Sequence, residues 1–299
     1  MGILIKCEGT TFDKKYIIDT VELPDPECEH EYDNACDAEC NLCGATRTVT
    51  HNYVDGYCTI CGKKDPNKVW TIAEYPVQDT LKGLYDFGGT AEASVVNHAP
   101  TPHINTADVA LHKPENITIS EDYCTFTGNT TTSKVLTYLR MPLANAVTAV
   151  ALFRVPEGVR EIVANSTGGS GVTSIGFSLL NDRLSFGVNG ALTSRTFTAI
   201  NSDNFAILAV TVEPNGCRVE RYTNGGLVNL VDFEGTVEAW QAGSTGNAIQ
   251  IGGGGKSNIY PDADISLAAV HEGVLTDEQL ESICQFVKNY GEQKGLTIE

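Results

Sequence analysis

A chain of 299 residues with 38 acidic and 20 basic side chains carries a formal charge of −18. Such a surface repels phosphate backbones and anionic headgroups, which argues against nucleic acid and membrane surfaces as partners. No apolar run is long enough to cross a bilayer. The opening Met1-Gly2-Ile3-Leu4-Ile5-Lys6 also lacks the apolar centre and cleavage site of an export signal, so a reducing cytoplasm is the expected place of synthesis.

In chain order, residues 1–26 read as an arm. Two extended runs, Ile3 to Lys6 and Tyr16 to Leu23, flank a turn at Glu8-Gly9-Thr10-Thr11, and Pro24 and Pro26 end the second. A lone hairpin is marginal in water, so this arm is expected to add to something else, such as a neighbouring copy.

Residues 27–65 hold six of the ten cysteines and two of the six histidines. Cys40-Asn-Leu-Cys43-Gly and Cys58-Thr-Ile-Cys61-Gly are CxxCG knuckles, each aiming two sulfurs at one point while the glycine lets backbone amides approach. Four protein donors of this type make a closed tetrahedral zinc site with no open position for a water nucleophile. Two pairings fit equally. Either Cys40, Cys43, Cys58 and Cys61 share one ion and Cys28, His30, Cys36 and His51 another, or Cys28 and His30 join Cys40 and Cys43 while Cys36 and His51 join Cys58 and Cys61. One or two structural zinc ions are therefore expected. Disulfides are the competing reading, but two residues between cysteines strain a disulfide ring and relax a metal clamp. A thioredoxin-like redox pair lacks its flanking strand and helix.

Residues 66–80 read as a linker or added strand with Trp70 as a packing anchor. From 81 to 299 many short apolar runs alternate with Gly, Asn and Asp turns, which predicts an all-β, two-sheet sandwich. The expected strands are Ala146 to Val155, Ile175 to Leu180, Leu184 to Val188, Phe205 to Val212, Arg218 to Tyr222, Leu227 to Phe233, Ala248 to Ile251 and Ile265 to Val270. Asn181-Asp182, Pro214-Asn215-Gly216 and Asn224-Gly225-Gly226 are the expected turns. One helix closes the chain. Thr276 and Gln279 form a capping box, Leu275 and Leu280 a hydrophobic staple, and Leu280, Ile283, Cys284 and Val287 one apolar face before an expected stop at Gly291. Cys7, Cys124, Cys217 and Cys284 read as small buried hydrophobes.

Three resemblances follow from these residues. The run Tyr32-Asp-Asn-Ala-Cys36-Asp, then Cys40-x-x-Cys43-Gly-Ala-Thr-Arg47 and His51-x-Tyr53, resembles a cysteine-rich repeat of surface proteins from Gram-positive gut bacteria and their phages. The first dozen residues, with Phe12-Asp13, resemble the start of phage tail and fibre proteins, whose leading strand docks into the particle. Gly83-Leu-Tyr-Asp-Phe87, the hairpin from Phe205 to Gly226, and Ile249-Gln-Ile-Gly-Gly with Asp264 to Leu280 resemble laminin-G-like, concanavalin-type jelly rolls. That last resemblance implies rim loops that bind sugars or proteins, sometimes with calcium. Asn224, Trp240, Asn258, Tyr260 and Asp262 supply the aromatic faces, amides and carboxylate for such a surface.

Catalytic patterns do not complete themselves. Gly252-Gly-Gly-Gly-Lys256-Ser257 has Gln250 where a phosphate loop needs its first glycine, and Gly168-Gly-Ser170-Gly171-Val172 misses the last glycine of a nucleophile elbow. Asp262-Ala-Asp264 is the nearest pair of alternating carboxylates, but Pro261 precedes it and Asp264 matches the closing strand of the jelly-roll resemblance. His98 and His103 sit in a proline-bound loop with no acidic or sulfur partner at ligand spacing. The expectation is a non-enzymatic phage virion protein, in several copies, assembled in a bacterial cytoplasm with other virion proteins. Its outer domain would bind a host-surface glycan or protein. A bacterial cell-surface carbohydrate-binding module is the alternative, and a glycan hydrolase the third reading.

Overall fold

The computed structural model describes residues 4–8, 15–19, 29–100, 110–112, 116–127, 134–136, 146–166, 175–188, 191–237, 249–252 and 262–299. The chain divides into two compact units, Met1–Val69 and Trp70–Glu299.

In the first unit β1 (Leu4–Glu8) and β2 (Lys15–Asp19) form an antiparallel hairpin with Leu4 opposite Asp19 and Glu8 opposite Lys15. The arm is thus a hairpin as expected, with each strand displaced from its expected bounds. Two short strands, β3 (Tyr53–Val54) and β4 (Tyr57–Cys58), make a second hairpin. Its two-residue loop is Asp55-Gly56, with φ of 50° and 83°. Positive φ at both positions is the type I′ requirement, and Asp-Gly meets it at low cost.

The second unit contains β5 (Leu81–Asp86), β6 (Ala110–His112), β7 (Ile117–Ile119), β8 (Cys124–Phe126), β9 (Lys134–Leu136) and β10 (Val147–Arg154). Then come β11 (Glu161–Ser166), β12 (Ile175–Leu180), β13 (Arg183–Val188), β14 (Ala191–Thr196), β15 (Ala206–Glu213), β16 (Gly216–Thr223) and β17 (Gly226–Glu234). The strands β18 (Gln250–Ile251) and β19 (Ala263–Glu272) precede helix α1 (Asp277–Gln293). Among the described residues one sheet runs β17-β16-β15-β10-β19-β8-β7, with β5 also beside β19, and the other runs β14-β13-β12-β11-β18-β9-β6. All of these pairings are antiparallel. The unit is the β-sandwich that the alternating runs predict.

The core lies between the sheets. Ala149, Ala151 and Phe153 of β10 and Leu208, Val210 and Val212 of β15 face Val163, Phe177, Leu179, Phe186 and Ile251 of the other sheet. The intervening positions of β10, β15 and β19 are buried as well, on the face turned to α1: Leu152 approaches Gly291 there. Covering both faces turns an alternating pattern into a continuous apolar run. In β19 the register slips between Ile265 and Leu267, opposite Phe153 and Leu152, leaving Ser266 as an inserted residue. Because strand periodicity is two, that insertion moves the core-facing set from Ala263 and Ile265 to Ala268 and Val270.

Helix α1 starts as the sequence indicates. Thr276 Oγ1 accepts from Gln279 N–H at 3.2 Å and Gln279 Oε1 accepts from Thr276 N–H at 3.0 Å. It does not stop at Gly291. The helix runs on to Gln293, and Gly295 (φ 86°) ends it: Gly295 N–H reaches Glu292 O at 3.0 Å and Leu296 N–H reaches Gly291 O at 3.1 Å, a Schellman closure. Gly291 serves packing instead, because a Cβ there would meet Leu152 Cδ2 at 2.7 Å and Ile298 Cδ1 at 2.8 Å.

Residues 70–80 lead into β5 against this helix. The Trp70 ring meets Phe286 edge-on at 6.0 Å, and Gln293 both accepts from Trp70 N–H (2.6 Å) and donates to Trp70 O (2.9 Å). Tyr75 is buried and stacks on His271.

Candidate metal centre

Each knuckle is built the same way. Gly44 (φ 71°) donates to Cys40 O at 2.9 Å while Cys40 N–H reaches Ala45 O at 2.8 Å; Gly62 (φ 69°) donates to Cys58 O at 2.9 Å while Cys58 N–H reaches Lys63 O at 2.8 Å. The chain reverses tightly behind each CxxC pair, which is why a glycine follows the second cysteine. Backbone amides of Leu42 and Cys43 then point at the Cys40 sulfur, and those of Ile60 and Cys61 at the Cys58 sulfur.

A histidine joins each knuckle. His30 Nδ1 lies 3.4 Å from Cys43 Sγ, and His51 Nδ1 lies 3.4 Å from Cys61 Sγ. The β3–β4 hairpin delivers His51, two residues before β3, to the sulfurs of Cys58, which ends β4, and Cys61, which follows it. A tyrosine two residues on packs beside each imidazole, Tyr32 by His30 at 6.1 Å and Tyr53 by His51 at 5.6 Å between ring centres. The recurrence of His-x-Tyr before each CxxCG is a signal in the sequence that spacing arguments about cysteines alone overlook.

Two donor groups result: His30, Cys40 and Cys43, and separately Cys36, His51, Cys58 and Cys61. Within each group the donor atoms all lie within 4.8 Å of one another, close enough to hold a metal ion. Of the two pairings that fit the sequence, the described residues therefore follow the one that keeps the knuckles apart, and the four-cysteine site is not formed. The residue that crosses between the groups is Cys36, whose Sγ is 3.4 Å from Cys58 Sγ, well beyond the roughly 2.05 Å of a disulfide bond. Cys28, expected beside His30, lies outside the described residues.

The donor set fits zinc chemistry. Bonds of about 2.3 Å to sulfur and about 2.0 Å to nitrogen in a tetrahedron place neighbouring donors about 3.5 to 3.8 Å apart, close to the spacings seen. Thiolate and imidazole donors in this geometry suit zinc rather than hard oxygen-seeking cations. The first sulfur of each knuckle is also favoured as a thiolate. Hydrogen bonds from the amides of Cys61 and Ile60 bring Cys58 down to about 5. Burial pulls the Cys40 thiol up, but the Cys43 and Leu42 amides and the His30 ring outweigh it and bring the thiol down to about 6. Cys36 moves the other way, to about 12, through burial and its hydrogen bonds with Cys58 and Cys61. Metal binding at this group would release that proton.

The expected rim residues are placed in part. Asn224 is exposed at the two-residue turn between β16 and β17, and Asp262 is exposed just before β19. Following the register through Ile207–Tyr222, Phe153–Ala206 and Phe153–Ile265, both lie at one end of the sheet. Three strand spacings of about 4.8 Å, or about 14 Å, separate them. Trp240, Asn258 and Tyr260 lie outside the described residues. Asp264, the second of the alternating carboxylates, is committed to a fork from Arg154: Nε reaches Oδ2 at 2.7 Å, and Thr125 Oγ1 donates to Oδ1 at 2.5 Å. No third member of a calcium site appears with Asp262 among the described residues, where the clusters that could share an ion are the two above.

No protein-family model matches the chain, and no curated protein does. Among solved structures it is similar to the binding domain of Paraclostridial Mosquitocidal Protein 1, with 12% identity over 71% of this chain and 53% of that one and a TM-score of 0.48. The receptor-binding domain of botulinum neurotoxin D gives 13% identity over 71% and 53%, with a TM-score of 0.45. Trypanosoma rangeli sialidase in complex with sialic acid gives 11% identity over 72% and 34%, with a TM-score of 0.47. The chain thus spans about half of the two toxin chains and a third of the sialidase chain.

Proposed function

We propose that this chain is a non-enzymatic assembly and adhesion protein of a phage particle, with a zinc-knotted module and a β-sandwich that binds a host-surface glycan or protein. The observation that carries the reading is the closed donor set of Cys36, His51, Cys58 and Cys61. Four protein ligands complete a tetrahedron, so zinc held there supplies folding energy and leaves no position for a substrate or water. A unit of this size cannot bury a large core, and a structural ion substitutes for one. His30, Cys40 and Cys43 would hold a second ion, with Cys28 as the fourth ligand expected from the sequence.

The β1–β2 hairpin supports the assembly part of the reading. Among the described residues the hairpin pairs with no third strand; two strands are marginal in water, and docking into other virion proteins or copies of this chain would pair their edges. Asn224 and Asp262, exposed at one end of the sandwich, support a rim binding surface. The resemblance of the cysteine-rich segment to Gram-positive surface repeats favours a bacterial cell-surface carbohydrate-binding module as the second reading.

Two experiments test this. Antibody labelling of phage particles and of bacterial cells from the source in the electron microscope should decorate particles; labelling confined to the cell wall would favour the second reading. The purified chain, incubated with host-wall polysaccharide, should bind it without releasing reducing ends. Sustained release of reducing ends would overturn the non-enzymatic assignment.

A further inference from the structure

The two donor groups are interlocked. In chain order Cys36 stands between His30 and Cys40, which belong to one group, yet its thiol sits with His51, Cys58 and Cys61 of the other. Resting on the metal-binding reading above, we propose that the two sites load cooperatively, with Arg47 as the positioning residue that couples them.

The turn that carries Cys36 is fixed largely by residues framing the other site. Asn41, inside the Cys40–Cys43 knuckle, donates its side-chain amide to Asp33 Oδ1 at 2.8 Å and its N–H to Glu31 O at 2.9 Å. Cys36 N–H is held by Asn34 Oδ1 at 2.8 Å, and Asp33 N–H by Asp37 Oδ2 at 3.0 Å. Arg47, four residues past Cys43, closes the turn from outside. Its Nε donates to Asp37 O at 2.9 Å, one terminal nitrogen donates to Asn34 O at 2.7 Å, and its guanidinium lies 3.7 Å from the centre of the Tyr32 ring. Only a planar fork can serve two carbonyls and a ring face together.

The consequence is entropic. A metal joining His30 to Cys40 and Cys43 closes the loop that contains Cys36 and sets the knuckle from which Arg47 departs. The closure cost of bringing Cys36 to His51, Cys58 and Cys61 is then already met in part. Coupling must be reciprocal, and an effect on the order of tenfold in affinity is expected for a link of this kind.

The test uses the intact chain, stripped of metal under reducing conditions and titrated with cobalt(II) against a competing chelator, with thiolate-to-cobalt absorption as the readout. Wild type should take up two ions cooperatively. Cys43→Ser, which disables the first site, should bind one ion at the remaining site with affinity lowered on the order of tenfold. Arg47→Ala, which removes no ligand, should still take up two ions but with weakened cooperativity, because the Asn41 bonds and the loop closure remain. Far-ultraviolet circular dichroism of the sandwich should stay as in wild type for both variants. Cys43→Ser with wild-type affinity at its remaining site would overturn the coupling, and Arg47→Ala with wild-type cooperativity would overturn the role of Arg47. A wild-type chain that binds no cobalt would instead overturn the metal reading itself.

Discussion

Acid should destabilise the sandwich through His271. This residue lies on β19 with its ring between Tyr75 Oη, 3.0 Å from Nε2, and Thr80 Oγ1, 2.9 Å from Nδ1. It is fully shielded from solvent, and burial lowers it from 6.5 to about 4; the nearby Asp79 pulls the other way and is outweighed. The unfolded chain therefore takes up a proton as pH falls below about 6.5, while the folded chain does not until about pH 4. Stability is whole above 6.5 and is lost through the window down to 4, at up to about 1.4 kcal/mol per pH unit and about 3 kcal/mol in total. Urea unfolding at pH 7.5, 5.5 and 4.5, followed by circular dichroism, should show this loss in wild type. His271→Gln should be less stable at pH 7.5 because the two hydroxyl bonds are disturbed, but its curve should fall less steeply toward pH 4.5. Carboxylate titration is common to both proteins, so the difference in slope isolates His271. Parallel curves would refute the reasoning.

Three substitutions test the packing by the same unfolding assay. Gly88→Ala places a methyl 2.3 Å from the carbonyl oxygen of Glu121 at a φ of 130°, and should cost about 3 kcal/mol or more. A loss below about 1 kcal/mol would mean the Gly88 loop adjusts freely. Phe126→Ala empties a fully buried position edge-on to Phe87 and beneath Gly252, and should cost about 3–5 kcal/mol. Thr276→Ala removes the acceptor at the start of α1 and should cost about 1 kcal/mol, whereas a neutral result would show Gln279 alone suffices as the cap.

What the sequence disclosed follows physical lines. The strands β10, β15 and β19 were legible as apolar runs because both of their faces are covered, one by the opposing sheet and one toward α1. Strand β11 was not, since the charged pair Arg160-Glu161 interrupts the apolar run where the strand begins, yet both are buried: Arg160, just before β11, donates from Nε and a terminal nitrogen to Gly252 O at 2.9 and 2.7 Å, and Glu161 accepts from Ser178. The three-residue strands β6 to β9 are too short to display a period. At α1 the capping box marks the start, but the stop expected at Gly291 falls at Gly295, because Gly291 is used for packing against Leu152 and Ile298. The residues of the two donor groups stand out in the sequence by type, because a CxxCG knuckle is a local structure. Their pairing was not, because it depends on which knuckle the Cys36 turn faces, and the side chain that holds that turn, Arg47, resembles any exposed arginine.

Zinc content of the intact, reduced chain, read by native mass spectrometry alongside hydrogen exchange, is the most direct measurement of the metal-knotted module. Two zinc ions per chain are expected, with protected amides around Cys40 and Cys58 that lose protection when a chelator strips the metal while those of β10 and β15 keep theirs. A metal-free chain whose amides at Cys40 and Cys58 are equally protected with and without chelator would contradict it.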